Sequence, residues 1–281
     1  MRKHRTAARV NRLIIALIAI LLVSCSPESY TTHFRGYADI DDIRMYYEVH
    51  GEGEAILLLH GGAGHGQRDW SKVIPILAPQ YQLIVPDSRA QGRSTDSDKP
   101  LGYDLLADDV IELMDYLDIV RAHVVGKSDG GIIGLNLAIR YPDRLLKVVA
   151  YGANFHPDGL TDTLLDLMNN VTVDNYGDDR AYDDYLSVAP DPSQFGVMLD
   201  KVVSMWLSQP DWTTEDLAQI KTPVLVIDDA QGLSIRPEHV QIMAEAIPGA
   251  RLKLIDETDH AATKEKPEIF TDLVLGFLEA Q

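Results

Sequence analysis

The stretch VVGKSDGGIIG, Val124 to Gly134, joins the end of a fully apolar run, AHVVG, to the start of a segment with helical apolar spacing, GIIGLNLAIRY. Glycines on both sides of Lys127-Ser128-Asp129 let the chain reverse sharply between strand and helix, because a side chain at either flank would meet backbone. Ser128 at the apex then projects its hydroxyl above the sheet edge. The helix that begins just after it supplies unpaired N–H groups, which favour a developing negative charge. A turn serine with no chemical role is the alternative, but G-x-S-x-G between a buried strand and a helix is a specific pattern.

Working outward, short apolar runs recur at AILLLH, YQLIVPD, LLKVVAYG, TPVLVID and ARLKLID. Helical spacing appears between or after them at WSKVIPILA, LLADDVIELMDYL, PEHVQIMAEAI and EIFTDLVLGFL. Apolar strands alternating with amphipathic helices predict an α/β fold, a mostly parallel sheet with helices on both faces. A hairpin around Asp41-Asp42 precedes it, from Tyr37 to His50. Between Tyr151 and Thr222 no strand is expected. Patches such as TLLDLMNN and FGVMLDKVVSMWL read as a helical lid, residues 155–220, inserted after the sixth strand. Its Tyr182, Tyr185, Phe195, Met198, Trp206 and Trp212 either line a pocket or pack the lid helices together.

The first two dozen residues are different in kind. MRKHRTAARVNR carries five basic residues and no acid, and the apolar run Leu13 to Val23 follows, too short for the roughly 20 residues of a spanning helix. Leu22-Val23-Ser24-Cys25 resembles the lipobox of bacterial lipoproteins. The expectation is a signal peptide over 1–24, lipidation at Cys25, the only cysteine, and a tether over 25–36. The mature chain then holds 20 basic against 43 acidic residues, a formal charge of −23. Such a body repels nucleic acid, and the charge reads as a solubility device for a protein anchored in the bacterial cell envelope rather than as a sign of a cationic substrate.

From Tyr37 to the C-terminus the sequence resembles the α/β-hydrolase superfamily, most closely its small lidded esterases and lactonases. LLLHGGAG looks like that family's His-Gly oxyanion loop. The resemblance implies that the backbone N–H groups of Gly62 and Asp129 hold the oxyanion, with His60 a scaffold residue. VPDSRAQGRST looks like the family's Asp-x-Arg-Gly-x-Gly-x-Ser loop, with Ala90 in place of a glycine. HGGAGHG fits no phosphate-binding pattern, and His60 and His65 have no evident partners for a metal, so neither a cofactor nor a metal is expected.

The base should be a histidine after the last strand. His260 occupies the family position before the final helix, while His156 could approach only from the lid. The acid is the irregular member. Laid on VLVIDDAQGLSIRPEH, the family's Gly-Asp-x-Asp pattern puts Gly232 at the catalytic Asp, and the position used by relatives with an acid after the sixth strand is Gly152. Asp229, and less so Asp228, are the nearest carboxylates. A Ser-His pair without an acid remains open.

The reading is a serine hydrolase of a small ester, lactone or amide that works through an acyl-serine. The alternative is a catalytically silent ligand- or partner-binding lipoprotein on the same scaffold. Dehalogenase and epoxide-hydrolase chemistry would need a carboxylate at the elbow, where this chain has Ser128.

Overall fold

The computed structural model describes residues 32–176 and 179–280. The expected signal peptide 1–24 and Cys25 lie outside the described residues. No described helix is long and apolar enough to cross a membrane.

Eight strands form one sheet: β1 (Thr32–Ile40), β2 (Ile43–His50), β3 (Glu54–Leu59), β4 (Tyr81–Pro86), β5 (Ala122–Lys127), β6 (Leu145–Tyr151), β7 (Val224–Asp229) and β8 (Arg251–Ile255). Their order is β1-β2-β4-β3-β5-β6-β7-β8. Only the β1–β2 and β2–β4 pairs are antiparallel; the others are parallel. Every strand reached by an apolar run in the sequence is present. The hairpin reaches further back than Tyr37: residues 32–36 belong to β1 and pair with β2 as far as His50, so they are sheet and not tether. Alternation at the Tyr37 end is what the sequence displays, and pairing in register carries the strand beyond it.

Helices cover both faces. On one face lie α1 (Gly66–Trp70), α2 (Ile74–Leu77) and, at the C-terminus, α11 (Pro267–Leu278), which pack Trp70, Phe270 and Phe277 against Leu58, Val125, Val149, Leu225 and Ile227. The other face carries α3 (Tyr103–Tyr116), α4 (Asp129–Arg140) and α9 (Pro237–Ala246) over Leu57, Val124, Val148 and Val226. Strand residues alternate between these two cores, as the period of two requires. The insertion after β6 is helical: α5 (Asp162–Asn170), α6 (Asp179–Val188), α7 (Phe195–Ser208) and α8 (Thr214–Leu217). A single turn, α10 (Ala262–Glu265), separates β8 from α11.

Candidate active site

The turn between β5 and α4 is as tight as its glycines imply. A Cβ at Gly126 would lie 2.5 Å from the Gly131 nitrogen, and one at Gly130 would lie 2.5 Å from the Leu59 carbonyl carbon. No side chain fits at either flank. Ser128 itself sits at φ 53°, ψ −121°, a conformation that costs a non-glycine residue about 1–3 kcal/mol and is held by its surroundings. Its N–H donates to the Tyr151 carbonyl at 2.7 Å, and its own carbonyl accepts from Ile132 N–H at 3.0 Å. The hydroxyl is left half-buried at the wall of a cavity of about 210 Å³.

Gly62, Ser128, Asp129 and His260 all line that cavity. Gly62 follows β3 in the loop whose geometry is set by His60. Ser88 N–H donates to His60 Nε2 at 2.8 Å, which fixes that nitrogen as the acceptor and leaves Nδ1–H to donate to the Gly61 carbonyl at 2.7 Å. His60 is therefore a neutral brace. Among the described residues, neither Gly62 N–H nor Asp129 N–H has a protein acceptor, so both are available to a ligand oxygen. The second loop agrees with the substitution noted in the sequence: Ala90 adopts φ 67°, the left-handed conformation suited to glycine.

His260 lies on the turn before α10 at φ 53°. Tyr151 positions it twice: the phenol oxygen accepts from Ala262 N–H at 3.0 Å, and the two ring centroids are 5.8 Å apart. The imidazole rests directly on Gly152. A Cβ there would come within 2.7 Å of Nδ1 and closer still to Cε1, and Gly152 has φ +63°. Burial, and next the positive charge of Lys127, push the His260 pKa down to about 4, partly countered by Asp229 and Asp69. The ring is thus neutral near pH 7. Its Nδ1 is buried without a hydrogen-bond partner, which leaves Nε2 as the nitrogen open to the cavity. No hydrogen bond joins His260 to Ser128 among the described residues. Such bonds are commonly loose without a ligand.

The two carboxylates that end β7 point to opposite faces. Asp229 shares its side of the sheet with Leu225 and Ile227, the side of Tyr151 and hence of the His260 ring, whereas Asp228 faces the other core. Asp229 is buried. One oxygen accepts from Leu233 N–H at 3.3 Å, and the other has no partner. Asp229 does not hydrogen-bond to His260, and it does not line the cavity. Asp228 is also buried. It accepts from Asp229 N–H at 2.8 Å, and burial together with its charged neighbour pushes its pKa up to about 8. Gly232, the position where the family pattern places the acid, has φ +62° and is closed by Pro237, 2.6 Å from where a Cβ would stand. With its side-chain amide oriented to satisfy both groups, Gln231 accepts from Glu257 N–H at 3.1 Å and donates to the Thr258 carbonyl at 3.3 Å, tying the loop after β7 to the loop that carries His260.

Behind the cavity, the buried Asp69 of α1 acts as a hub. It accepts from Gly61 N–H at 2.9 Å and Lys127 Nζ at 3.1 Å, with Lys264 Nζ at 3.5 Å. It couples the loop after β3, the nucleophile strand and the His260 turn. Burial opposes ionisation of its carboxyl, but Lys127, the Gly61 N–H, Arg68 and Lys264 together hold it well below the usual carboxylate range.

Of the lid side chains singled out in the sequence, Trp206 lines the cavity. Tyr182 and Tyr185 instead pack on Phe195, with ring centroids 4.8 and 5.1 Å apart. Met168, Leu164, Tyr176 and Gln209 line the cavity without a sequence signal that sets them apart from packing residues. His156 is paired with Asp158 and Asp211 at the lid surface, and His239 is stacked on Phe155; neither lines the cavity. A larger cleft of about 400 Å³ between residues 94–98 and the lid contains neither Ser128 nor His260. Among the described residues, no group of three or more His, Cys, Asp or Glu could hold a metal ion.

A family model described as alpha/beta hydrolase fold matches residues 54–189. A protein of Caulobacter sp. (strain K31) named as a carbamate hydrolase, RutD, is 30% identical over 264 residues, which cover 84% of this chain and 96% of that one. The 2-hydroxy-6-oxo-6-phenylhexa-2,4-dienoate hydrolase of Comamonas testosteroni is 30% identical over 268 residues, covering 85% and 93%. Among solved structures, the enol-lactonase from Burkholderia xenovorans LB400 superposes with a TM-score of 0.70 at 23% identity, covering 87% of this chain and all of that one.

Proposed function

The chain belongs to the alpha/beta-hydrolase family, and from that premise we propose that it is a serine hydrolase acting on a small ester, lactone or amide, in that order of preference. One observation carries the reading: the Ser128 hydroxyl, the His260 imidazole and two amide N–H groups without acceptors face a single cavity of about 210 Å³. Ser128 Oγ attacks the carbonyl carbon as its proton passes to His260 Nε2. The Gly62 and Asp129 N–H groups take the oxyanion, and the leaving group departs with the proton from His260. Water then adds to the acyl-serine by the same route in reverse, which restores the serine and releases the acid.

Asp229 is the acid in this reading. Its free oxygen is a buried acceptor without a donor, and His260 Nδ1 is a buried nitrogen without a partner, both on the Tyr151 side of the sheet. A contact between them when substrate seats would satisfy two groups that are otherwise costly to bury. The test is the rate of labelling by a fluorophosphonate probe. Wild type should label, Ser128→Ala should abolish it, His260→Ala should nearly abolish it, and Asp229→Asn should slow it by about 10²–10⁴-fold. Labelling of wild type no faster than Ser128→Ala would replace this reading with that of a silent ligand-binding protein.

The anchor is proposed on the sequence alone: cleavage after Ser24 and lipidation of Cys25 place the domain on a membrane of the bacterial envelope. Cys25→Ala should move the protein from the membrane fraction to the soluble fraction. Unchanged fractionation would exclude lipidation as the anchor.

A further inference from the structure

The side chain of Asp129 has no part in the scheme above, which uses only its N–H. It is buried, at 4% exposure, yet it lines the cavity beside the nucleophile. Its hydrogen-bond donors are both neutral: Tyr103 OH at 3.0 Å, and Trp206 Nε1–H, shared between the two oxygens at 2.9 and 3.0 Å. A carboxylate has room for about four donors, so part of its capacity is unused. Among the described residues, no lysine or arginine lines the cavity. Lys127 and Lys264 are committed to Asp69 behind the catalytic turn, and Arg68 donates to the Ala63 carbonyl at 3.1 Å and lies 4.0 Å from the Asp184 carboxylate.

The position of this carboxyl matters electrostatically. One of its oxygens lies against Gly62, so near that a Cβ at that glycine would collide with it. A carboxylate there raises the cost of an oxyanion held by the Gly62 and Asp129 N–H groups, since like charges at close range in a dry site repel strongly. A neutral or anionic acyl group leaves that repulsion in place. A positively charged one removes it at the moment the oxyanion forms, the moment at which binding energy accelerates the reaction.

We propose that the Asp129 carboxylate is a subsite for a protonated amine on the carbon next to the scissile carbonyl of the substrate, so that the favoured substrates are esters or amides of small amino acids. The inference rests on the serine-hydrolase reading and names its substrate class. Burial pushes the Asp129 carboxyl up to about 6, against the Trp206 and Tyr103 hydrogen bonds and a smaller effect of His60, so the carboxylate form is available near neutral pH. Tyr103 and Trp206 hold it in place, and the second of these belongs to the lid helix α7, which ties the subsite to the lid.

The experiment uses two esters of one alcohol that differ by ammonium against methyl: the alanine ester and the isobutyrate ester, each corrected for its rate with hydroxide. Wild type should prefer the alanine ester in kcat/KM by at least about tenfold, and Asp129→Asn should lose that preference while gaining rate on the isobutyrate ester. Asparagine keeps an acceptor for Tyr103 and Trp206, so an Asp129 that merely latches the lid predicts equal change for both esters. Binding of the matching amides, alaninamide and isobutyramide, is measured by calorimetry on wild type, Asp129→Asn and Ser128→Ala. Equal rates on both esters in wild type would overturn the subsite and leave the hydrolase standing. Absence of hydrolysis with alaninamide bound through Asp129 would overturn the acyl-serine chemistry and leave the subsite. Should Asp129→Asn fail to fold, the wild-type ester ratio still decides.

Discussion

Substituting alanine at Gly152 should disable the enzyme without touching any reacting group. The new Cβ would stand 2.7 Å from His260 Nδ1. The ring atom Cε1 would be closer still, and an ordinary contact needs about 3.5 Å, so the ring must retreat by more than about 1 Å. It cannot do so freely, because Tyr151 packs against it and the His260 backbone is already held at φ 53°. Displacement of a catalytic group by about 1 Å costs on the order of 10²-fold in rate. Placing a side chain at φ +63° adds a stability cost of about 1–2 kcal/mol, small enough to leave a folded protein. The assay is fluorophosphonate labelling and ester kcat/KM, run well below the melting temperature of each variant. Gly152→Ala should label about 10²-fold more slowly while unfolding only a few degrees earlier. A folded Gly152→Ala that labels at the wild-type rate would refute either the placement of the ring or its role as base.

Three further outcomes follow from the same geometry. The free enzyme needs a neutral His260, whose pKa lies near 4, so the acid limb of kcat/KM should fall below pH 6.5; a limb above 6.5 would mean that a carboxylate already engages Nδ1 without substrate. Asp228 keeps its proton in the folded state to about pH 8 but ionises near 4 when unfolded, so wild-type stability falls as pH rises through that window. Asp228→Asn removes this dependence and should gain up to about 4 kcal/mol by pH 7 and almost nothing at pH 4, read from urea melts at several pH values; parallel profiles would exclude the buried, protonated Asp228. Gly130→Ala drives a Cβ into the Leu59 carbonyl carbon, so soluble expression should collapse, and a well-folded variant would show that the turn is not as tight as described.

The strands and the elbow were legible because they are local. Apolar runs of four to seven residues betray parallel strands, and the glycines at 126 and 130 are demanded by backbone contacts within a few residues or with the adjacent strand. His260 was legible through its place before the last helix. The start of β1 at Thr32 was not, because pairing with β2 fixes it rather than its own alternation. Short turns such as α1 and α10 carry too few residues for a helical period. The Asp129 bonds to Tyr103 and Trp206 join residues 26 and 77 positions away, and Asp69 gathers partners up to 195 positions distant, so no spacing reveals them. Which lid side chains face the cavity depends on how α5 and α7 are rotated, and apolar periodicity alone does not separate cavity wall from core.

Gly152 and Gly232 also limit what protein engineering could add to the site. Each has a left-handed backbone, and each is closed by a neighbour, the His260 ring at one and Pro237 at the other. A carboxylate cannot be installed at either place by one substitution, because an aspartate at 152 evicts the histidine it is meant to serve and one at 232 strikes the start of α9. Any redesign that strengthens the support of His260 has to work through the loop that follows Asp229 rather than through these two glycines.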